Sequence, residues 1–440
     1  MRAIDQFFDE FSKLALPAGC HVSAHLQCEQ TDFVRFNGGK VRQSGHVDQA
    51  TATVELVRDQ RHACVEINLG AARQGVGMGL GDAVSALEAM VGDLPADPHL
   101  LLVDHAQPQH DRRAATLVPI GQVVDDIATC AQALDLVGIL AHGPLGAAYC
   151  DSNGLAHSWQ RNLSHFDYSV YAQGDKAFKR SCAAAQWDGA TFAAQIATIR
   201  QQLPILFAPP KVLPPQGYRA WLTPAAVSAV TDLLCWNGFS AKAQRTRQSH
   251  LQRLVDGSGR LDQRIAIAED LGEGMGPPFG SGGFAKPAHL PLIRQGQLVG
   301  ALHSPRTARE YGVATDGCGD GEEPNALTMA GGDLQEHDIL KELDTGLWVD
   351  NLWYLNFSDR DACRMTGMTR FATLWVQDGV PVAPVTAMRF DDTLERMFGS
   401  QLLDLGAKTS LCVDALAWKR RSTRCSRVPG VLLRDWTLTL

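Results

Sequence analysis

The stretch AYCDSNGLAHSWQRNLSHFDYSVYAQGDKAFKRSCAAAQ, residues 148–186, repeats the layout of FVRFNGGKVRQSGHVDQATATVELVRDQRHACVEIN, residues 33–68. In each, an Asn-Gly turn leads into a polar strand, an alternating strand follows (ATATVELV; HFDYSVYA), and a charged turn (RDQR; QGDK) precedes one more strand. Alternation at period two marks strands with two unlike faces, and Asn-Gly supplies the positive φ of a tight hairpin. The two segments read as related β-meanders, pairing into one sheet or lying in facing sheets. Helical periodicity separates and closes them, over about 82–91, 121–137 and 190–203. The first helix sets Ile4, Phe7, Phe8, Phe11 and Leu14 on one side.

Four prolines in ILFAPPKVLPPQG, 205–217, remove donors and force extended backbone, so the chain divides there. Its 440 residues also exceed what one core sustains. The expected fold is α+β in two domains: 1–204 with the repeated meander, a Pro-rich linker at 205–217, and a β-rich domain at 218–440, barrel-like or a sandwich. In the second half, Thr223 and Pro224 open a helix, Ser304-Pro305 opens another through Tyr311, and hairpins turn on Gln295-Gly296 and Asp378-Gly379. Asp333 and Glu336 have capping-box spacing, which predicts a helix over 334–344 with Gly346 beyond its end.

A net charge of −8 disfavours a nucleic-acid binder. Acidic residues interrupt the N-terminal stretch, which excludes a secretory signal, and no apolar run is long enough to span a membrane, so a cytoplasmic protein is expected. Eleven cysteines without a CxxC pair point to reduced thiols, not to a disulfide framework or zinc ribbon.

Few motifs carry chemistry. GEGMGPPFGSGGFAK, 272–286, lacks the GK[ST] of a phosphate loop and reads as a flexible loop. His157 and His165 share a strand face but lack a neighbouring carboxylate or cysteine pair, and read as surface histidines. No HExxH or HExxxH occurs. The one basic cluster, KRRSTRCSR at 419–427, reads as a solvated loop; alternatively its cations lower the pKa of Cys425 and make it a thiolate.

With these, the segments DSNGLAHSWQRNLSHF, LIRQGQLVGALHSPRTAREYG, NALTMAGGDLQEHDILKELDTGLWVDNL and NFSDRDACRMTGMTRFATLWVQDGVPVAPVTAMRFDDTLERMF resemble the TldD/PmbA family, once called modulators of DNA gyrase. The match runs over about 145–400 and is strongest from 290 to 398. The resemblance implies a cytosolic TldD–TldE protease complex that cuts unfolded or modified peptides, in which TldD holds zinc through a HExxxH helix and a late cysteine. Here the matching helix, TPAAVSAVTDLLCWNGFS, has no histidine, which places the chain on the TldE/PmbA side. No metal is then expected on this chain, and zinc belongs to a TldD-like partner. Cys425 sits near the place of the late cysteine and is a weak candidate ligand or nucleophile.

The family's segment before the Asp-Gly hairpin is expanded here into DRDACRMTGMTRF. Arg360, Arg364 and Arg370 are therefore candidates to line a peptide channel, gripping carboxylates while strand edges hold the main chain; equally, they pair with Asp359 and Asp361 to order the loop. Three functions are open: a channel-shaping subunit, as a homodimer or with a HExxxH-bearing partner; a homodimeric peptide-binding or assembly protein without hydrolytic role; or a peptidase with a site around Cys425, Cys363 or His337.

Overall fold

The computed structural model describes all residues but 71–74, 76, 105, 114–115, 273 and 440. Its strands form two sheets. The first contains β1 (His21–Asn37), β2 (Lys40–Arg58), β3 (Arg61–Asn68), β4 (His110–Arg112), β5 (Asp135–Asp151), β6 (Ala156–Gln173) and β7 (Lys176–Ala184). The two meanders, β1-β2-β3 and β5-β6-β7, join through their first strands in the order β3-β2-β1-β5-β6, with β4 and β7 sharing the far edge of β6. The repeat seen in the sequence is thus one sheet built from two antiparallel meanders, with β4 added in parallel to β6.

Helices cover one face of this sheet. On α1 (Arg2–Ser12), Ile4, Phe7 and Phe11 bury against Val22, Ala24 and Leu26, together with α2 (Leu80–Val91). An aromatic side chain buried this fully contributes about 2–3 kcal/mol. Further along, α3 (Ile120–Cys130) and α4 (Gly189–Gln202) pack on Phe36, Leu140, Phe166 and Val170. The helix expected over 121–137 stops early, because Ala133 turns left-handed (φ 60°) and β5 begins at Asp135. Asp188 caps α4 by accepting from the N–H groups of Ala190 and Thr191.

The second sheet contains β8 (Gly217–Leu222), β9 (Ile267–Asp270), β10 (His289–Arg294), β11 (Gln297–Leu298), β12 (Ala326–Met329), β13 (Gly346–Asp359), β14 (Arg364–Gln377), β15 (Val380–Pro384), β16 (Arg389–Thr393), β17 (Leu402–Val413) and β18 (Cys425–Thr437). Its order is β11-β10-β9-β12-β18-β8-β13-β14-β15, with β16 on β14 and β17 on β18. No barrel closes, which corrects that expectation. Pro381 and Pro384 lie in the edge strand β15, and β18 branches to β12, β8 and β17 instead of passing the ladder on in a ring. Among the described residues, the α-helices of this half are α5 (Pro224–Cys235), α6 (Ala241–Arg245), α7 (Gln252–Val255), α8 (Pro305–Tyr311) and α9 (Ile339–Leu343).

Helix α9 is much shorter than the predicted 334–344. Leu334 gives its backbone to β17 instead, donating to Leu405 O and accepting from Ala407 N–H. Segment 205–217 is tied down as well, since Lys211 bridges to Val385 and Tyr218 Oη donates to Pro214 O. Two apolar clusters draw on both halves of the chain: Ala372 and Leu374 join Phe166 and Phe192, and Phe279 and Cys425 join Tyr149 and Trp159.

Gly430 in β18 marks a close approach, because a Cβ there would run into the Trp221 ring of β8. Gly430→Ala is expected to destabilise the chain by about 1–3 kcal/mol, seen as a lower Tm with unchanged circular dichroism.

Candidate functional site

Helix α5 organises the candidate site. Thr223 caps it, accepting from Ala226 N–H at 3.4 Å, while its own hydroxyl donates to Asp350 O at 2.6 Å and ties the helix start to β13. One side of α5 turns Ser228 and Asp232 toward the end of β17 and the start of β18. Ser228 Oγ meets Ser426 Oγ at 2.8 Å, and a cavity of about 250 Å³ opens between Asp232, Cys412, Asp414, Arg424 and Cys425.

Asp232 is open to this cavity yet hemmed in by protein. Burial pushes its carboxyl up to about 6, Arg424 working against the shift and Asp414 with it. Burial also pushes up the thiols of Cys425, Cys412 and Cys235, to about 11 for Cys412. The thiolate expectation for Cys425 fails on this geometry. The thiol is buried, which outweighs the opposing pull of Arg427, and other cations of the cluster turn elsewhere: Lys419 to Glu66 at 2.8 Å, Arg421 to main-chain carbonyls, and Arg424 to Glu323 at 2.9 Å.

Among the described residues, no group of three His, Cys, Asp or Glu side chains is placed to hold a metal ion. The donors near α5 are the thiols of Cys412 and Cys425 and the Asp232 carboxyl, which shares its surroundings with the Arg424 guanidinium, and a fixed cation there repels a second one.

The other singled-out residues scatter. Cys363 is buried in the core of the second half, and His337 is an exposed side chain beside Asp338, so neither joins Cys425. His157 and His165 are buried, not on the surface. His157 Nδ1 accepts from Gln109 N–H and Nε2 donates to Gly283 O, both at 2.9 Å, and His165 Nε2 meets Ser181 Oγ. The glycine-rich 272–286 segment supplies that carbonyl and buries Phe279 against His157, so it is a packed loop, with Glu273 outside the described residues.

The three arginines take separate partners. Arg360 lies over Trp236, Arg370 lies 3.7 Å from the Trp353 ring centroid, and Arg364 Nη1 donates to Asp391 at 3.2 Å. The Asp359 carboxylate instead accepts from the N–H groups of Asp361 and Ala362.

A larger cavity, of about 530 Å³, lies between the two sheets at the start of α5. Its walls include the outer edges of β7 and β17. Asp414 N–H donates to Arg424 O, and the register runs without a slip from Val413↔Cys425 to Thr409↔Pro429. Thr409 and Leu411 therefore turn their N–H and C=O groups away from β18. Across the cavity, Lys179 N–H donates to the buried Asp350 carboxylate, so Ser181 and Ala183 present their backbone groups on the same outer edge of β7. Neither edge has a strand partner there among the described residues. Trp187, Trp221 and Trp348 line the apolar side, and Arg180 pairs with Asp350 at 2.6 Å.

Residues 215–439, just over half of the chain, match the family model for the PmbA/TldA metallopeptidase C-terminal domain. The chain belongs to the PmbA/TldD family. No curated protein sequence matches it. Among solved structures, this family member is similar to TldE from Thermococcus kodakarensis, with TM-score 0.76, 12% identity and full coverage of both chains. It is also similar to proposed modulators of DNA gyrase from Thermotoga maritima and Bacteroides thetaiotaomicron. Each has TM-score 0.73 and 13% identity, with all of this chain and 99% or 98% of the other covered. At such identities the likeness is one of fold.

Sequence reasoning missed Asp232 and Arg424. The available signal was a single acid inside the apolar run AAVSAVTDLLC. The folded chain holds the Asp232 proton to a higher pH than an unfolded one, so charging this group weighs against the fold as pH climbs from about 4 to about 6. Asp232→Asn should therefore gain Tm relative to the parent as pH rises through that window, read by thermal melts across pH. Arg364→Ala should cost up to about 1 kcal/mol through the Asp391 pair and leave peptide capture unchanged; weaker capture at unchanged Tm would assign Arg364 to a channel.

Proposed function

We propose that this chain is a TldE-like, peptide-holding subunit of a zinc-dependent peptidase complex acting on unfolded or modified peptides, with a HExxxH-bearing partner supplying the metal. The observation that carries the proposal is the pair of open strand edges facing one cavity. Backbone donors and acceptors without strand partners bind water or another extended chain, and a peptide laid along them is held through its main chain with little regard to sequence. A folded protein cannot offer its backbone in this way, which fits a substrate class of unfolded chains. In this reading, residues 1–204 and 218–440 act as two domains with 205–217 between them, and the substrate enters where they meet.

The zinc-deficient part of the proposal rests on α5, which lacks histidine and faces Arg424 with Asp232. Family membership and the fold shared with a TldE support the pairing with a partner subunit. Isolated chain, incubated with casein and zinc, should show no cleavage and no stoichiometric metal, and activity should appear on adding a HExxxH-bearing family member. Cleavage by the isolated chain would overturn the reading. Proline at Thr409 removes one edge donor and leaves the side of β17 paired with β18 intact, so this variant should weaken capture of an unfolded peptide about fivefold to tenfold, measured by fluorescence anisotropy with Tm as control.

A further inference from the structure

A third cavity, of about 370 Å³, lies beneath segment 414–424, against the face of the first sheet that carries Gln27, Glu29, Gln49 and Thr51. It shares no lining residue with the cavity between β7 and β17. The cations of the segment divide into two sets. Lys419 and Arg424 anchor it, through Glu66 and Glu323. Arg420 and Arg421 line the cavity, and among the described residues neither forms a salt bridge to a carboxylate.

Arg421 is only 7% exposed, and its hydrogen bonds go to neutral main-chain oxygens: Nη2 donates to Leu163 O at 2.9 Å and Nη1 to Gly143 O at 3.4 Å. A guanidinium carries five N–H donors, and a buried one ordinarily meets a carboxylate. Glu29 is near enough to act on it electrostatically, while its oxygens accept from the Thr31 hydroxyl and the Gln49 amide. Arg420 makes no hydrogen bond or ion-pair contact among the described residues, and its charge is felt at longer range by His25 and Glu66. At the rim, Trp418 and Leu416 are 84% and 71% exposed, an apolar pair beside two forks that match a planar anion. Glu29 and Asp414 on the same walls weigh against a dianion such as a phosphate monoester.

We propose that this cavity binds the carboxylate of a small ligand with an apolar body, Arg420 and Arg421 holding the carboxylate and Trp418 with Leu416 covering the apolar part. The C-terminal residue of a peptide and a free acylated amino acid share this chemistry.

Calorimetric titration of the full chain with four probes tests it: N-acetyl-leucine, acetyl-Ala-Ala-Leu with a free C-terminal carboxylate, the C-terminal amide of that peptide, and inorganic phosphate. Both acids should bind, with the amide weaker by about tenfold or more. Tighter binding of the peptide acid than of N-acetyl-leucine assigns the site to peptide termini, and equal binding assigns it to free acids. Arg420→Gln, at a half-buried position without a bonded partner, should weaken the acids about tenfold at unchanged Tm. It replaces Arg421→Gln as the decisive variant, since loss of the Arg421 bonds to Leu163 and Gly143 threatens the fold. Equal binding of acid and amide, binding of neither to folded chain, unchanged affinity in Arg420→Gln, or preference for phosphate would each overturn the proposal.

Discussion

The antiparallel pairing of β1 with β5 is the constraint on which the rest of the structure depends. It joins two meanders back to back and fixes which residues face which layer. Val22, Ala24 and Leu26 fall under α1 and α2, so the alternate residues Ser23, His25, Gln27 and Glu29 must turn toward the second half of the chain. A slip of one residue would bury those polar groups under the helices and expose the apolar row. The polar wall of the cavity beneath segment 414–424 and the helix-covered core are therefore two results of one register.

Much of this was legible in the sequence because it rests on local chemistry. Asn37-Gly38 and Asn153-Gly154 announce the hairpins, the alternation in ATATVELV and HFDYSVYA sets the faces, and Thr223-Pro224 and Ser304-Pro305 mark helix starts. The failures share a cause. Residues 334–344 satisfy the spacing of a helix start, yet Leu334 is more strongly claimed by the backbone of β17, seventy residues away in the chain. The barrel expectation failed similarly, because the branching at β18 is decided by which distant strands reach it.

The candidate site was less legible for the same reason. Nothing in TPAAVSAVTDLLCWNGFS foretells that Asp232 will face Arg424, and nothing in the β7 or β17 segments shows that their outer edges will border one cavity. His157 and His165 looked peripheral because their partners, Gln109, Gly283 and Ser181, are supplied by other segments. Residue types could be weighed beforehand, but partners could not. The arginines of the 357–379 stretch show the converse, a conspicuous cluster whose members the fold sends to three different neighbours.

The three-way branching of β18 also bears on how the chain acquires its shape during synthesis. In the first sheet each meander is assembled from consecutive strands and can form as its residues emerge, and the β1–β5 joint closes once β5 has been made. In the second sheet, β8, β12 and β17 all wait for a strand made after them. Until residues 425–437 exist, the β8 and β12 edges and the Trp221 ring stay uncovered on the β18 side, so the second sheet closes last.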